Sequence, residues 1–148
     1  MRRMMTRGLA LLFCLSILVS TAVAAEPNQV TERIDYEDGS FLTITTRLYP
    51  ALTRASSLYA TKEISYTDAA GDLCFAYTLR GWFTYGNNTS QATNAAAIID
   101  LYKRGWTVST HNEYCSGNTA YGSATFKGPT GPRSVSISLT CDRYGNVT

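Results

Sequence analysis

A single histidine, His111, is all the chain offers for imidazole chemistry, and its four cysteines contain no C-x₂₋₄-C pair. One histidine with scattered thiols does not assemble a four-ligand zinc site. No glycine-rich phosphate loop stands between a strand and a helix. Charge is sparse, at 16% of residues, and no run of lysine or arginine interrupts the sequence. A nucleic-acid binder needs a basic face to displace counterions, so nucleic acid is not expected as a partner. No cofactor and no metal is called for. Long apolar runs are missing too: Leu9–Val19 is too short to span a bilayer comfortably.

That run has another reading. Arg2, Arg3 and Arg7 precede it, and Ala22-Val23-Ala24 follows it as a small-residue cleavage site. Together they form a secretory signal peptide over residues 1–24, removed on export. Cys14 lies inside the apolar run without small residues before it, which argues against a lipid anchor. The expected product is secreted and carries no transmembrane span. Losing three arginines leaves ten basic against eleven acidic residues, a net charge of −1, so the basic pI belongs to the targeting segment. Residues 25–148 are enough for one domain with its own core and too few for two.

The mature chain reads mostly with period two. In "FLTITTRLY", Leu42, Ile44 and Leu48 alternate with Thr43, Thr45 and Arg47, as in a half-buried strand. "ERIDY" precedes it across an Asp38-Gly39 hairpin signal. Leu58, Ala60, Ile64 and Tyr66 share a face of the next strand. "DAAGD" then turns the chain into "LCFAYTLRGWFTYG", where Leu73, Phe75, Tyr77, Leu79, Phe83 and Tyr85 share one face and Trp82 lies on the other. "GWTVST", "TAYGSATFK" and "RSVSISLTC" complete the series, the last with Val135, Ile137, Leu139 and Cys141 together. Many short strands separated by turn signals predict an all-β antiparallel sandwich or barrel. The segment "TNAAAIIDLYKRG" satisfies two patterns: an N-cap at Asn94, alanines and Gly105 suit a helix, yet Ala95, Ala97, Ile99 and Leu101 alternate as a strand does. The strand is preferred, because tertiary context overrides propensity.

The succession "YEDGS", "YTDAAGDLCFAYTLRGWFTYG", "SGNTAYGSATFK" and "SISLTCDRYGN" resembles a poorly characterised family of small exported proteins of Gram-positive, gut-type bacteria. The resemblance covers most of the mature chain. It implies an immunoglobulin-like β-sandwich of about seven to eight strands, supports a strand at Asn94–Tyr102, and brings no catalytic residues with it.

The stretch "STHNEYCSGNTA" gathers His111, Glu113 and Cys115, all on one face if the strand is straight. A nucleophile, base and orienting acid would have to meet within about 3 Å. At ~3.3 Å per residue, His111 and Cys115 stand about 13 Å apart. Trp106, Val108 and Thr110 also read as the core face, which would turn His111 and Glu113 to solvent. No catalytic residue is therefore expected here. For the cysteines, export favours disulfides, and the mature chain holds Cys74, Cys115 and Cys141. Strands running up and down would end at the same edge with Cys115 and Cys141, favouring that pair at about 2–4 kcal/mol. Side-chain parity disagrees, with Cys141 inward and Cys115 outward; a bulge or turn at Tyr114–Ser116 would reconcile them. Cys74 is left as a small apolar residue or an intermolecular bridge.

Asp35, Glu37 and Asp38 beside Gly39 could attract Ca²⁺, but the hairpin explains them and the spaced ligands of a calcium loop are missing. The remaining feature is aromatic: ten tyrosines and two tryptophans. Trp82 lies opposite its strand's apolar set, with Arg80 two residues away on the same side, and the pair forms the candidate ligand-binding site. The bland alternative is a cross-strand packing pair. The expectation is a secreted, non-catalytic module that binds an extracellular glycan or protein surface. Its rivals are a membrane-active, bacteriocin-like toxin and a small hydrolase using carboxylates.

Overall fold

The computed structural model describes residues 28–49 and 56–148; the expected signal peptide and the Pro50 segment lie outside them. Eight strands follow one another: β1 (Asn28–Asp35), β2 (Phe41–Tyr49), β3 (Ser57–Thr67), β4 (Leu73–Gly86), β5 (Thr89–Leu101), β6 (Thr107–Ser116), β7 (Thr119–Gly128) and β8 (Gly131–Thr140). They form two antiparallel sheets, β1-β2-β3-β4-β5 and β6-β7-β8. The all-β sandwich is as the alternation predicts. Its likeness to immunoglobulin domains lies in the two packed layers. Every paired strand is a neighbour in sequence, whereas immunoglobulin domains interleave their strands between sheets.

Turn chemistry matches the sequence. Asp38 accepts hydrogen bonds from the Ser40 backbone N–H and hydroxyl, and Gly39 takes φ +82° in the β1–β2 turn. Asn87 and Asn88 both adopt positive φ, 49° and 61°. That is the two-residue hairpin geometry whose twist suits the flanking strands, and asparagine is among the few residues that tolerate it. The segment with two patterns, Asn94–Leu101, lies within β5. Ala95, Ala97 and Ile99 pack on the core there, and side-chain burial on one face outweighs helix propensity.

The core lies between the three-stranded sheet and β3–β5. Phe75 and Phe126 stack across the layers with centroids 3.7 Å apart, and Tyr66 and Trp106 extend the cluster. Gly81 lets the layers close: a Cβ there would stand 2.7 Å from the Phe83 ring and 3.3 Å from the Ala120 Cβ. Five strands facing three leave an overhang. All of β1 is exposed, including Val30 at 62% and Ile34 at 47%.

Two expectations about the third cysteine-bearing stretch need correction. Val108 pairs with Phe126 and Thr110 with Thr125, so Ser109 is an extra residue, a β-bulge. The bulge inverts side-chain parity beyond it. His111, Glu113 and Cys115 consequently share the face of Ala124, Gly122 and Ala120, which is the core side. Parity thus brings Cys115 and Cys141 to the same side, yet they do not bond. Cys74, Cys115 and Cys141 are all free thiols. The reason is lateral. Cys115 aligns with Ala120 and, through it, with Leu139, so β7 stands between the two cysteines. Two strand spacings of ~4.8 Å and two residues along the strand separate their Cα atoms by about 12 Å, beyond the ~7 Å a disulfide spans.

Candidate binding face

On the side of the five-stranded sheet away from the core, register assembles what sequence leaves scattered. Tyr49 pairs with Tyr59, Tyr59 with Trp82, and Trp82 with Asn94. The four side chains form one row across β2–β5. Ring centroids lie 5.2 Å apart at both aromatic steps, with interplanar angles of 35° and 44°. Successive tilts of this kind follow the twist of adjacent strands. The aromatic row is about 10 Å long, two strand spacings.

Trp82 is seated by a second bulge. Trp82 pairs with Asn94 but Phe83 with Ala92, leaving Thr93 as the extra residue, and Thr93 Oγ1 donates to the Trp82 carbonyl at 3.1 Å. The extra residue in β5 lets Asn94 stand outward beside Trp82 while Ala92 faces the core with Phe83.

The next row along the sheet is Arg47, Thr61, Arg80 and Ala96. Arg47 is engaged: its Nε donates to Gln29 Oε1 at 3.3 Å, and Nη1 lies 3.9 Å from Glu63 Oε2. Glu63 also accepts from Thr78 Oγ1 at 3.3 Å. Among the described residues, no carboxylate forms an ion pair with Arg80. Its charge acts on the Tyr59 phenol. Burial lifts that group above the ordinary tyrosine range, Arg80 opposes the rise, and Tyr49 adds to it. On the other side of the aromatic row stand Ser57, Thr84 and Gln91, in register with one another. The face therefore reads, in successive bands, neutral hydrogen-bonding groups, aromatic rings, then cations.

Trp82 and Arg80 sit together on the solvent side, as the alternation predicts. Trp82 does pack in a cross-strand pair, with Tyr59, yet it remains partly accessible. Tyr49 went unrecognised from sequence because its membership of the row depends on the β2–β3 register. Its only sequence signal is parity: it follows Leu48, an inward residue, at the strand's end.

The His111 stretch forms a second polar cluster at the rim between the sheets. Glu113 accepts from the Tyr77 hydroxyl at 2.7 Å through Oε1, while Oε2 lies 3.1 Å from His111 Nδ1. The Glu113 side chain is 14% exposed and that of His111 53%. Gly122 makes room, since a Cβ there would lie 2.9 Å from Leu79 Cδ1 and collide with the Tyr77 hydroxyl. Burial first, then the Glu113 hydrogen bond and charge, push the Tyr77 phenol upward, so it stays a donor. Burial likewise raises the Cys115 thiol, the opposite of nucleophile activation. The expected solvent-facing histidine and glutamate are thus in part an inter-sheet clamp, joining β6 to β4.

No protein-family model matches the chain, and no curated protein does. A solved structure, that of a hypothetical protein from Listeria monocytogenes, is similar at 17% identity and a TM-score of 0.42, over 80% of this chain and 89% of that one.

Proposed function

We propose that the protein is a secreted, non-catalytic binding module whose ligand is an extracellular glycan, held on the outer face of the five-stranded sheet. The observation that carries this reading is the Tyr49–Tyr59–Trp82 row. Partly exposed aromatic rings offer flat apolar surfaces with polar edges, which suit the C–H faces of sugar rings while hydroxyls find partners alongside. Asn94, Thr84, Gln91 and Ser57 are placed to serve as those partners. A mobile ligand-binding loop is unnecessary, because every contributor stands on a strand.

The clamp residues support a non-catalytic reading. Both Glu113 oxygens are engaged, one by a buried tyrosine and one by histidine, and Cys115 is drawn away from thiolate character. The signal peptide supports an extracellular site of action.

The test uses fluorescently labelled mature protein, from Ala25, mixed with intact bacterial and epithelial cells, with dye leakage read in the same samples. The expected result is saturable binding without leakage, competed by soluble polysaccharide and lost in Trp82→Ala. Leakage at low occupancy, or binding indifferent to Trp82→Ala, would overturn the reading and put membrane activity or another surface in its place.

A further inference from the structure

Resting on that reading, we infer that the ligand is an anionic polysaccharide, with its sugar rings over Tyr49, Tyr59 and Trp82 and its carboxylate or phosphate on Arg80. Four rows make up the face, the aromatic strip among them: Ser57, Thr84 and Gln91; Tyr49, Tyr59, Trp82 and Asn94; Arg47, Thr61, Arg80 and Ala96; Thr45, Glu63, Thr78 and Ile98. They contain two cations and one carboxylate. That carboxylate, Glu63, is held by Arg47 and Thr78. Arg80 is therefore the charge left over among the described residues of these rows.

Arg80 is also only partly exposed. A half-buried cation has lost part of its hydration, and a planar guanidinium is less strongly hydrated than an ammonium and matches the two oxygens of a carboxylate or phosphate. Trp82 stands two residues away on the same strand, about 7 Å by strand rise. One sugar ring over the tryptophan thus brings a ring substituent within reach of the guanidinium. A neutral glycan would bury the arginine against hydroxyls alone. The band order further implies direction: the ligand's charged edge faces Arg80, and its hydroxyl edge faces Thr84 and Gln91.

Affinity electrophoresis and calorimetry of the mature protein would compare three probes: polygalacturonate, the same polymer with its carboxylates methyl-esterified, and a polysaccharide whose hexose units are joined through phosphodiesters. Polygalacturonate should bind about tenfold more tightly than its ester, the span of one charge-assisted contact. Arg80→Gln should abolish that difference, Arg80→Lys should retain part of it, and raised salt should narrow it. Tighter binding of the phosphate polymer would identify phosphate as the anion's source and keep the proposal. Equal affinity for acid and ester, or an unaltered preference in Arg80→Gln, overturns the anionic ligand while leaving a neutral glycan reader standing. Binding that survives Trp82→Ala with the same salt dependence overturns both, since the aromatic row would then be bypassed. Failure to bind any of the three overturns the anionic inference, and the cell-binding assay decides the glycan reading separately. Thermal melts of each variant exclude unfolding as the cause.

Discussion

The two faces of β4 differ in what covers them. Inward, Phe75, Tyr77, Leu79 and Phe83 are buried at 1% exposure or less; outward, Ala76 is buried, Thr78, Arg80 and Trp82 are half-buried and Thr84 is exposed. One face is sealed by a second sheet. The other is covered only by its own long side chains and by the aromatic row. The same alternation that builds the core therefore also sets out a flat, ordered surface, at no cost in loop entropy. Stability and recognition should then separate cleanly between alternate residues of a single strand.

The sharpest way to break that separation is at Phe75. Its ring stacks on Phe126 and touches both Tyr66 and Trp106, so Phe75→Ala leaves a cavity that neighbouring aromatics cannot refill. A loss of about 3–5 kcal/mol is expected from urea denaturation. If Trp82→Ala cost as much, the outward face would be core and the comparison would fail.

Next comes the clamp. Glu113→Ala leaves the buried Tyr77 hydroxyl without its acceptor, which costs about 1–3 kcal/mol. Tyr77→Phe with Glu113→Ala removes both halves, and a double-mutant cycle should return a coupling free energy well above zero. Purely additive effects would show that the 2.7 Å contact contributes nothing.

Period-two alternation made the strands, turns and inward sets legible, down to Phe75, Tyr77 and Leu79. It failed at Ser109, where one extra residue inverts the pattern. A bulge leaves no residue signature of its own; it is fixed by how the partner strand pairs. Hence Glu113 and Cys115, expected towards solvent, turn to the core side, whereas His111 stays at an exposed rim. The disulfide failed for a related reason: strand ends can be matched from sequence, but β7 lying between Cys115 and Cys141 is a lateral fact. Trp82 and Arg80 were legible because they need only one strand, whereas Tyr49 needs three.

The free thiols give a third, smaller effect. Cys141 is fully buried, so Cys141→Ser places a hydroxyl in the core and lowers the melting temperature modestly. Reductant should leave the wild-type melt unchanged. A drop on adding reductant would reveal a bridge and displace the arrangement described above.

Acid acts more weakly and through turns. Lys103 and backbone N–H groups hold the Asp68 carboxyl below its ordinary 3.8; Ser40 does the same for Asp38, and Asn146 for Asp142. Each folded-state pKa is depressed, so the stabilisation is present above about pH 4 and is lost as pH falls through the folded values. Asp68→Asn should flatten that acid limb in a pH series of melts. An unchanged limb would mean that the Lys103 pairing with Asp68 and Asp72 does not persist in solution.

The smallest expected effect on stability is the one on which the functional reading depends. Arg80 has no ion-pair partner among the described residues, so Arg80→Gln removes no contact that the fold requires and should shift stability by no more than about 0.5 kcal/mol. Removing an uncompensated cation from beside the Tyr59 phenol should also let that phenol's pKa rise, since Arg80 now opposes the rise caused by burial. Ultraviolet titration of the wild type and the variant measures this shift without any ligand. A rise in one tyrosine's midpoint, with the melt unchanged, places the guanidinium beside the aromatic row and free to meet an anion. A melt that falls along with ligand affinity would instead make Arg80 part of the scaffold, and the two faces of β4 would no longer divide stability from recognition.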